Sequence, residues 1–117
     1  MAEILIVDDS RTSRKFLREI LERNGHTVVA EAVNGEDGYL KYKELRPEIV
    51  TMDITMPVMN GVESLSLIKK ENPDAIVLMI TAVGQKEKMI EAVKRGATEF
   101  ILKPFNEAEI IGALERI

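Results

Sequence analysis

The sequence predicts an α/β fold: a five-stranded parallel sheet with helices packed on both faces. Three observations lead there. Short apolar runs rich in β-branched residues alternate with amphipathic stretches, strand then helix, five times over. The connections are short and carry capping or turn residues. No linker, low-complexity run or sequence repeat divides the chain. Such alternation builds right-handed βαβ units, which need a parallel sheet covered on both sides. The 117 residues suit one domain, so residues 1–117 are expected to fold as a single unit.

Glu3–Val7 reads as a short buried strand running into Asp8-Asp9. Ser10 is a candidate N-cap for a helix whose Phe16, Leu17, Ile20 and Leu21 share one stripe. Asn24-Gly25 suits its C-terminal end. His26–Ala32 is the second strand. Asn34-Gly35 opens a second helix that ends near Leu45, before Arg46-Pro47. Gly38 inside it costs about 1 kcal/mol relative to alanine. Ile49–Asp53 is the third strand, and Pro57 forbids its continuation. After Asn60-Gly61, Val62, Leu65, Leu67 and Ile68 mark a helix ended by Asn72-Pro73. Ala75–Thr81 is the fourth strand and Val83-Gly84 a loop. Lys86–Arg95 is a helix carrying Met89, Ile90 and Val93, closed by Gly96. Thr98–Leu102 is the fifth strand. Asn106 caps a last helix with Ile110, Ile111 and Leu114 inward.

Composition narrows the function. With 45% hydrophobic residues the chain can fill a core, and with only 4% aromatics that core is aliphatic. A net charge of -4 argues against nucleic acid as the main partner. No cysteine means no disulfide and no thiolate chemistry. The longest apolar runs are strand-sized, so membrane insertion is not expected. The first residues enter a strand at once, leaving no room for a signal peptide. A soluble, cytoplasmic protein is the expectation.

The strand ends carry the chemistry. Asp8 and Asp9 follow the first strand, Asp53 ends the third, Thr81 the fourth, and Lys103 follows the fifth. In parallel α/β sheets ligands bind beyond the carboxyl ends of the strands. Three clustered carboxylates repel one another, by about 4 kcal/mol for a pair at ~4 Å and an effective dielectric of 20. A hard divalent cation relieves that. An all-oxygen site favours Mg²⁺, with Mn²⁺ or Ca²⁺ as alternatives. A carboxylate beside a metal, a lysine and a hydroxyl can also accept a phosphoryl group. Asp53, single and central, is the candidate acceptor. Asp8 and Asp9 are the candidate metal holders.

Each feature alone has an ordinary structural reading. Asp8-Asp9 could open a helix and favour its dipole; Asp53 could cap a turn; Lys103-Pro104 could be a plain loop. Those readings fail jointly, since chance would have to put all five groups on one edge. His26, the only histidine, lies away from that edge and reads as a surface residue. Arg11, Arg14, Lys15 and Arg18 read as a solvated helix face. Met52, Met56, Met59, Met79 and Met89 read as core and loop packing.

Four motifs now stand in order: Val7-Asp8-Asp9, Met52-Asp53-Ile54-Thr55-Met56-Pro57-Val58-Met59-Asn60-Gly61, Thr81-Ala82, and Lys103-Pro104-Phe105. Over essentially the whole chain they resemble the receiver domain of bacterial two-component response regulators, and within it the single-domain chemotaxis regulators. The resemblance implies a flavodoxin-like (βα)5 three-layer sandwich with strand order 2-1-3-4-5, an order the residues alone leave open. It implies that Asp53 accepts the phosphoryl group of a sensor histidine kinase or small phosphodonor. It implies Mg²⁺ on Asp9, Asp53 and the backbone carbonyl of Thr55, with Asp8 acting through water. Lys103 and Thr81 then contact the phosphoryl oxygens, and Phe100 stands at the family's switch aromatic. Thr55 and Val83 occupy positions that tune dephosphorylation, and neither is an acid or amide. Gly38 replaces the usual alanine and is expected to loosen its helix. A cis Lys103–Pro104 bond is also implied.

The expected partners are the kinase and a downstream protein such as the flagellar motor switch, with no DNA bound directly and the chain a monomer. It would act on itself rather than as an enzyme on other substrates. The chain ends soon after its fifth helix, favouring a stand-alone regulator. A receiver cut from a larger regulator and a phosphorelay intermediate are alternatives. A small phosphatase with an aspartyl-phosphate intermediate is a further one, though Thr55 stands where haloacid-dehalogenase-like enzymes carry a second aspartate. A nucleotide-binding module would need a glycine-rich phosphate loop, which is absent.

Overall fold

The computed structural model describes residues 1–117. Its elements are β1 (Glu3–Val7), α1 (Arg11–Arg23), β2 (Thr27–Ala32), α2 (Gly35–Leu45), β3 (Ile49–Met52), α3 (Gly61–Glu71), β4 (Ile76–Ala82), α4 (Lys86–Lys94), β5 (Glu99–Lys103) and α5 (Glu107–Glu115). The five strands form one parallel sheet in the order β2-β1-β3-β4-β5. This is the flavodoxin-like order that the resemblance implies. Boundaries shift by a residue from the sequence expectation at several strands. Asp53 lies just past β3, and Lys103 is the last residue of β5.

Alternation along each strand explains why the strands are apolar throughout. Leu5 and Val7 of β1, Val50 and Met52 of β3, and Val77 and Met79 of β4 belong to a core shared with α2, α3 and α4. Ile4 and Ile6, Ile49, and Leu78 and Ile80 point the other way, into a core shared with α1 and α5. Successive side chains of a strand face opposite sides, so a sheet covered twice needs both sets to be apolar.

Side-chain caps fix four of the helix starts. Ser10, Asn34, Asn60 and Asn106 each accept a hydrogen bond from a first-turn backbone N–H, and Asn106 with Glu109 forms a reciprocal capping box. Helix α4 differs: Gln85 makes no such bond, and Ala92 is the one residue of the helix that is buried. Met89 is half-buried, while Ile90, Val93, Phe100 and Leu102 are exposed. Few buried contacts make α4 the least anchored helix.

Two packing expectations need correction. Periodicity puts Phe16 on the apolar stripe of α1, but it is exposed and stacks on Phe105, with ring centroids 5.5 Å apart. Gly38 is not merely a weak point of α2. A Cβ there would lie 2.8 and 2.9 Å from the two methyl carbons of Val7, which is buried in the sheet. Glycine therefore lets α2 approach β1 closely. Gly38→Ala gains about 1 kcal/mol of helix propensity but overpacks the core at a cost of about 1–3 kcal/mol. The expected net result in urea unfolding is destabilisation of about 1 kcal/mol, and the same Gly38→Ala change is expected to cost less in a Val7→Ala background than in wild type. A more stable single variant would contradict this.

Candidate functional site

The strand ends do bring the acidic residues together. Asp8, Asp9 and Asp53 each present a carboxylate oxygen, and these lie within 4.8 Å of one another. Asp8 and Asp53 are buried and Asp9 is exposed. The backbone holds the two buried residues rigidly. The Asp8 N–H donates to the Ala32 carbonyl at 3.0 Å, and the Asp53 N–H to the Val7 carbonyl at 2.9 Å. Both residues thus extend the ladder one step past their strands.

Donors already surround the carboxylates. Lys103 Nζ lies 2.8 Å from Asp8 Oδ2 and 3.3 Å from Asp53 Oδ2. The Ile54 N–H donates to Asp53 Oδ1 at 2.8 Å, and the Ser10 N–H to Asp8 Oδ1 at 2.8 Å. Burial, then the charge of Asp8, raises the pKa of the Asp53 carboxyl; Lys103 and the Ile54 N–H oppose the rise. Burial would lower Lys103, but its bond to Asp8 and the charge of Asp53 prevail and raise it. One ammonium against three carboxylates leaves the cluster short of positive charge.

Thr81, next to last in β4, is buried, and its hydroxyl has no hydrogen-bond partner. An unpaired buried hydroxyl costs about 1–3 kcal/mol, a cost that an incoming acceptor oxygen removes. Thr55 is exposed on the loop after Asp53. Gly61 closes that loop. Its N–H donates to the Ile54 carbonyl at 2.7 Å, and a Cβ would fall 1.8 Å from the Asp53 carbonyl oxygen, so no other residue fits. The Lys103–Pro104 bond is cis.

The donor set fits a hard divalent cation: oxygens only, converging from two loops, with an excess of negative charge. A model of the response regulator receiver domain matches residues 4–115. The chain belongs to the response regulator receiver family. Receiver domains are phosphoryl-accepting signalling domains rather than conventional enzymes, which sets the phosphatase and nucleotide-binding readings aside. The acidic triad of Asp8, Asp9 and Asp53 is typical of the receiver metal pocket.

Relatives within the family agree. The chain is 46% identical to the chemotaxis protein CheY of Thermotoga maritima, over 97% of this chain and 95% of that one. It is 45% identical to the CheY of Bacillus subtilis, over 97% and 94%. A solved structure, the CheX–CheY–BeF3–Mg+2 complex from Borrelia burgdorferi, superposes with a TM-score of 0.91 at 37% identity, covering 96% of this chain and 85% of that one.

The receiver fold also corrects the reading of the basic helix face. Arg14 is not solvated. Its side chain is 13% exposed, and it donates from Nε to Glu31 at 2.8 Å and from Nη1 to the Asp8 carbonyl at 2.7 Å. The signal was Glu31 itself, a carboxylate in an otherwise apolar strand that needs a partner. His26 precedes β2 rather than beginning it; it is half-buried and accepts the Ala2 N–H at Nδ1, 3.1 Å away.

Proposed function

We propose that this chain is a chemotaxis-type receiver that takes a phosphoryl group onto Asp53 from a sensor histidine kinase and thereby switches its binding to a downstream protein. The observation that carries this is the Lys103 bridge between Asp8 and Asp53 inside an all-oxygen triad. The CheY relatives support chemotaxis as the pathway, and a target such as the flagellar motor switch is what the receiver resemblance implies. No helix is long and apolar enough to cross a membrane, in keeping with a cytoplasmic regulator.

Mg²⁺ is the proposed cofactor, with Mn²⁺ a substitute; Asp8, Asp9, Asp53 and the Thr55 carbonyl would hold it. When bound it supplies neutralisation of charge on the transferring phosphoryl oxygens. The chain does the rest. Asp53 attacks the phosphorus of the kinase phosphohistidine as a carboxylate, its orientation fixed by the Ile54 N–H; its O–P bond forms as the N–P bond breaks and the kinase histidine leaves. Lys103, already within reach of Asp53, follows the new negative charge. The Thr81 hydroxyl donates to one phosphoryl oxygen. The apolar groove lined by Ile90, Val93, Phe100 and Leu102, about 590 Å³ in volume, is the proposed output face.

A phosphorylated kinase is expected to label the chain only when Mg²⁺ is present. Asp9→Ala loses a charge-assisted contact of about 1.5–3 kcal/mol, so its Mg²⁺ affinity should fall about 10- to 100-fold. Calorimetric titration showing equal affinity in the variant would remove Asp9 from the site.

A further inference from the structure

We infer that Arg14 is a positioning residue for the acidic cluster: it fixes the peptide plane from which Asp9 departs. The inference rests on the metal site proposed above. The contact that carries it is the 2.7 Å hydrogen bond from Arg14 Nη1 to the Asp8 carbonyl oxygen. That carbonyl lies just past the end of β1, where the loop to α1 begins. A peptide group is planar, so holding the Asp8 oxygen also holds the nitrogen and Cα of Asp9. Asp9 is the one exposed carboxylate of the triad. It has less packing to orient it than Asp8 or Asp53.

Arg14 is itself held. It reaches back from the first turns of α1, with its Nε on Glu31 at 2.8 Å. Glu31 also accepts from Arg18 at 2.7 Å, and its backbone carbonyl accepts from Lys41 Nζ at 2.6 Å. The guanidinium fork thus spans a carboxylate on β2 and a carbonyl at the end of β1. Lysine, with a single nitrogen, cannot reproduce that fork. Glu31 and Glu22 together offset the charges of Arg14 and Arg18, so a guanidinium can stand beside a cation-binding loop without adding a net positive charge. Partners of this kind, one step removed from a metal, change its affinity by about 10- to 100-fold when lost.

Arg18 provides the control, because it shares Glu31 but makes no hydrogen bond to the cluster. The test titrates Mg²⁺ alone into wild type, Arg14→Ala, Arg14→Lys and Arg18→Ala, followed by amide NMR, with folding of each checked from the same spectra. Arg14→Ala is expected to bind Mg²⁺ about 10-fold more weakly, and Arg18→Ala like wild type. Arg14→Lys, which keeps the charge and serves if the alanine variant does not fold, should also bind more weakly. A second readout needs no metal: the Ser10 amide, which donates to Asp8 Oδ1 at 2.8 Å, should exchange with solvent faster in Arg14→Ala than in Arg18→Ala. Wild-type protein that fails to bind Mg²⁺ would refute the metal site, and the exchange rates would then judge the positioning claim alone. Equal Ser10 exchange in the Arg14 and Arg18 variants overturns the inference, as does Arg14→Ala binding Mg²⁺ as tightly as wild type.

Discussion

Asp53→Asn is expected to take up no stable phosphoryl group from acetyl phosphate and Mg²⁺, while the wild-type chain gains one. Intact-mass spectrometry decides it, and an equally stable adduct on the variant would falsify Asp53 as the acceptor. The same substitution is expected to make the resting protein more stable. Carboxylate oxygens within 4.8 Å repel by about 3–4 kcal/mol at an effective dielectric of 20. Losing the contact with Lys103 offsets about 1.5–3 kcal/mol of that. Asparagine keeps an oxygen for the Ile54 N–H, so the net gain at neutral pH is about 1 kcal/mol.

The sign can be checked with pH. The Asp53 carboxyl is raised in the folded state, by burial first and by Asp8 second. The folded protein therefore holds that proton more tightly than the unfolded chain does. Stability of the wild type then falls as pH rises from the ordinary carboxylate range through the raised value. The advantage of Asp53→Asn should be full above that window and vanish below it. Urea unfolding across the acid range measures the difference, and a gap that widens as pH falls would contradict the burial argument.

Much of this site is legible from the residues because a parallel sheet makes one edge special. Once Asp8, Asp53 and Lys103 are read as strand ends, their meeting follows from the fold class. Strand order does not follow. Nothing in the five apolar runs states that β1 lies between β2 and β3; only the family resemblance implies that order. The helix faces are also ambiguous. Periodicity groups Phe16 with Ile20, but Phe16 stacks on Phe105 and is exposed, while Ile20 is buried. Ile90 and Val93 fit an inward stripe equally well and remain exposed. Arg14 sits in a run of basic residues whose other members are more exposed, so its separate role depends on a three-dimensional partner, Glu31. Gly38 shows the same limit: its value lies in the distance to Val7.

Phe100 is expected to turn inward on phosphorylation, and Thr81→Ala to abolish the turn. In the structure Phe100 is 44% exposed and lines the groove beside α4. The Thr81 hydroxyl is buried and unpaired on the neighbouring strand. A phosphoryl group on Asp53 adds charge and three acceptor oxygens. One of them gives Thr81 its missing partner and draws the end of β4 toward Asp53, freeing space beside β5. Burying a phenylalanine ring stabilises by about 1.5–3 kcal/mol, roughly 10- to 100-fold in population. With no hydroxyl to keep hydrated, Phe100 pays less for entering than a tyrosine would, so the resting protein should already visit the inward state. Helix α4, uncapped by any side chain and with Ala92 its one buried residue, is the element that can follow. Aromatic and methyl NMR with and without beryllofluoride, on wild type and Thr81→Ala, reads this directly. Equal reorientation of Phe100 in both proteins would remove Thr81 from the switch. Largest shifts on α2 rather than on α4, β5 and α5 would move the output face elsewhere, because α4 and β5 line the groove that Phe100 leaves and α5 packs on the other side of β5.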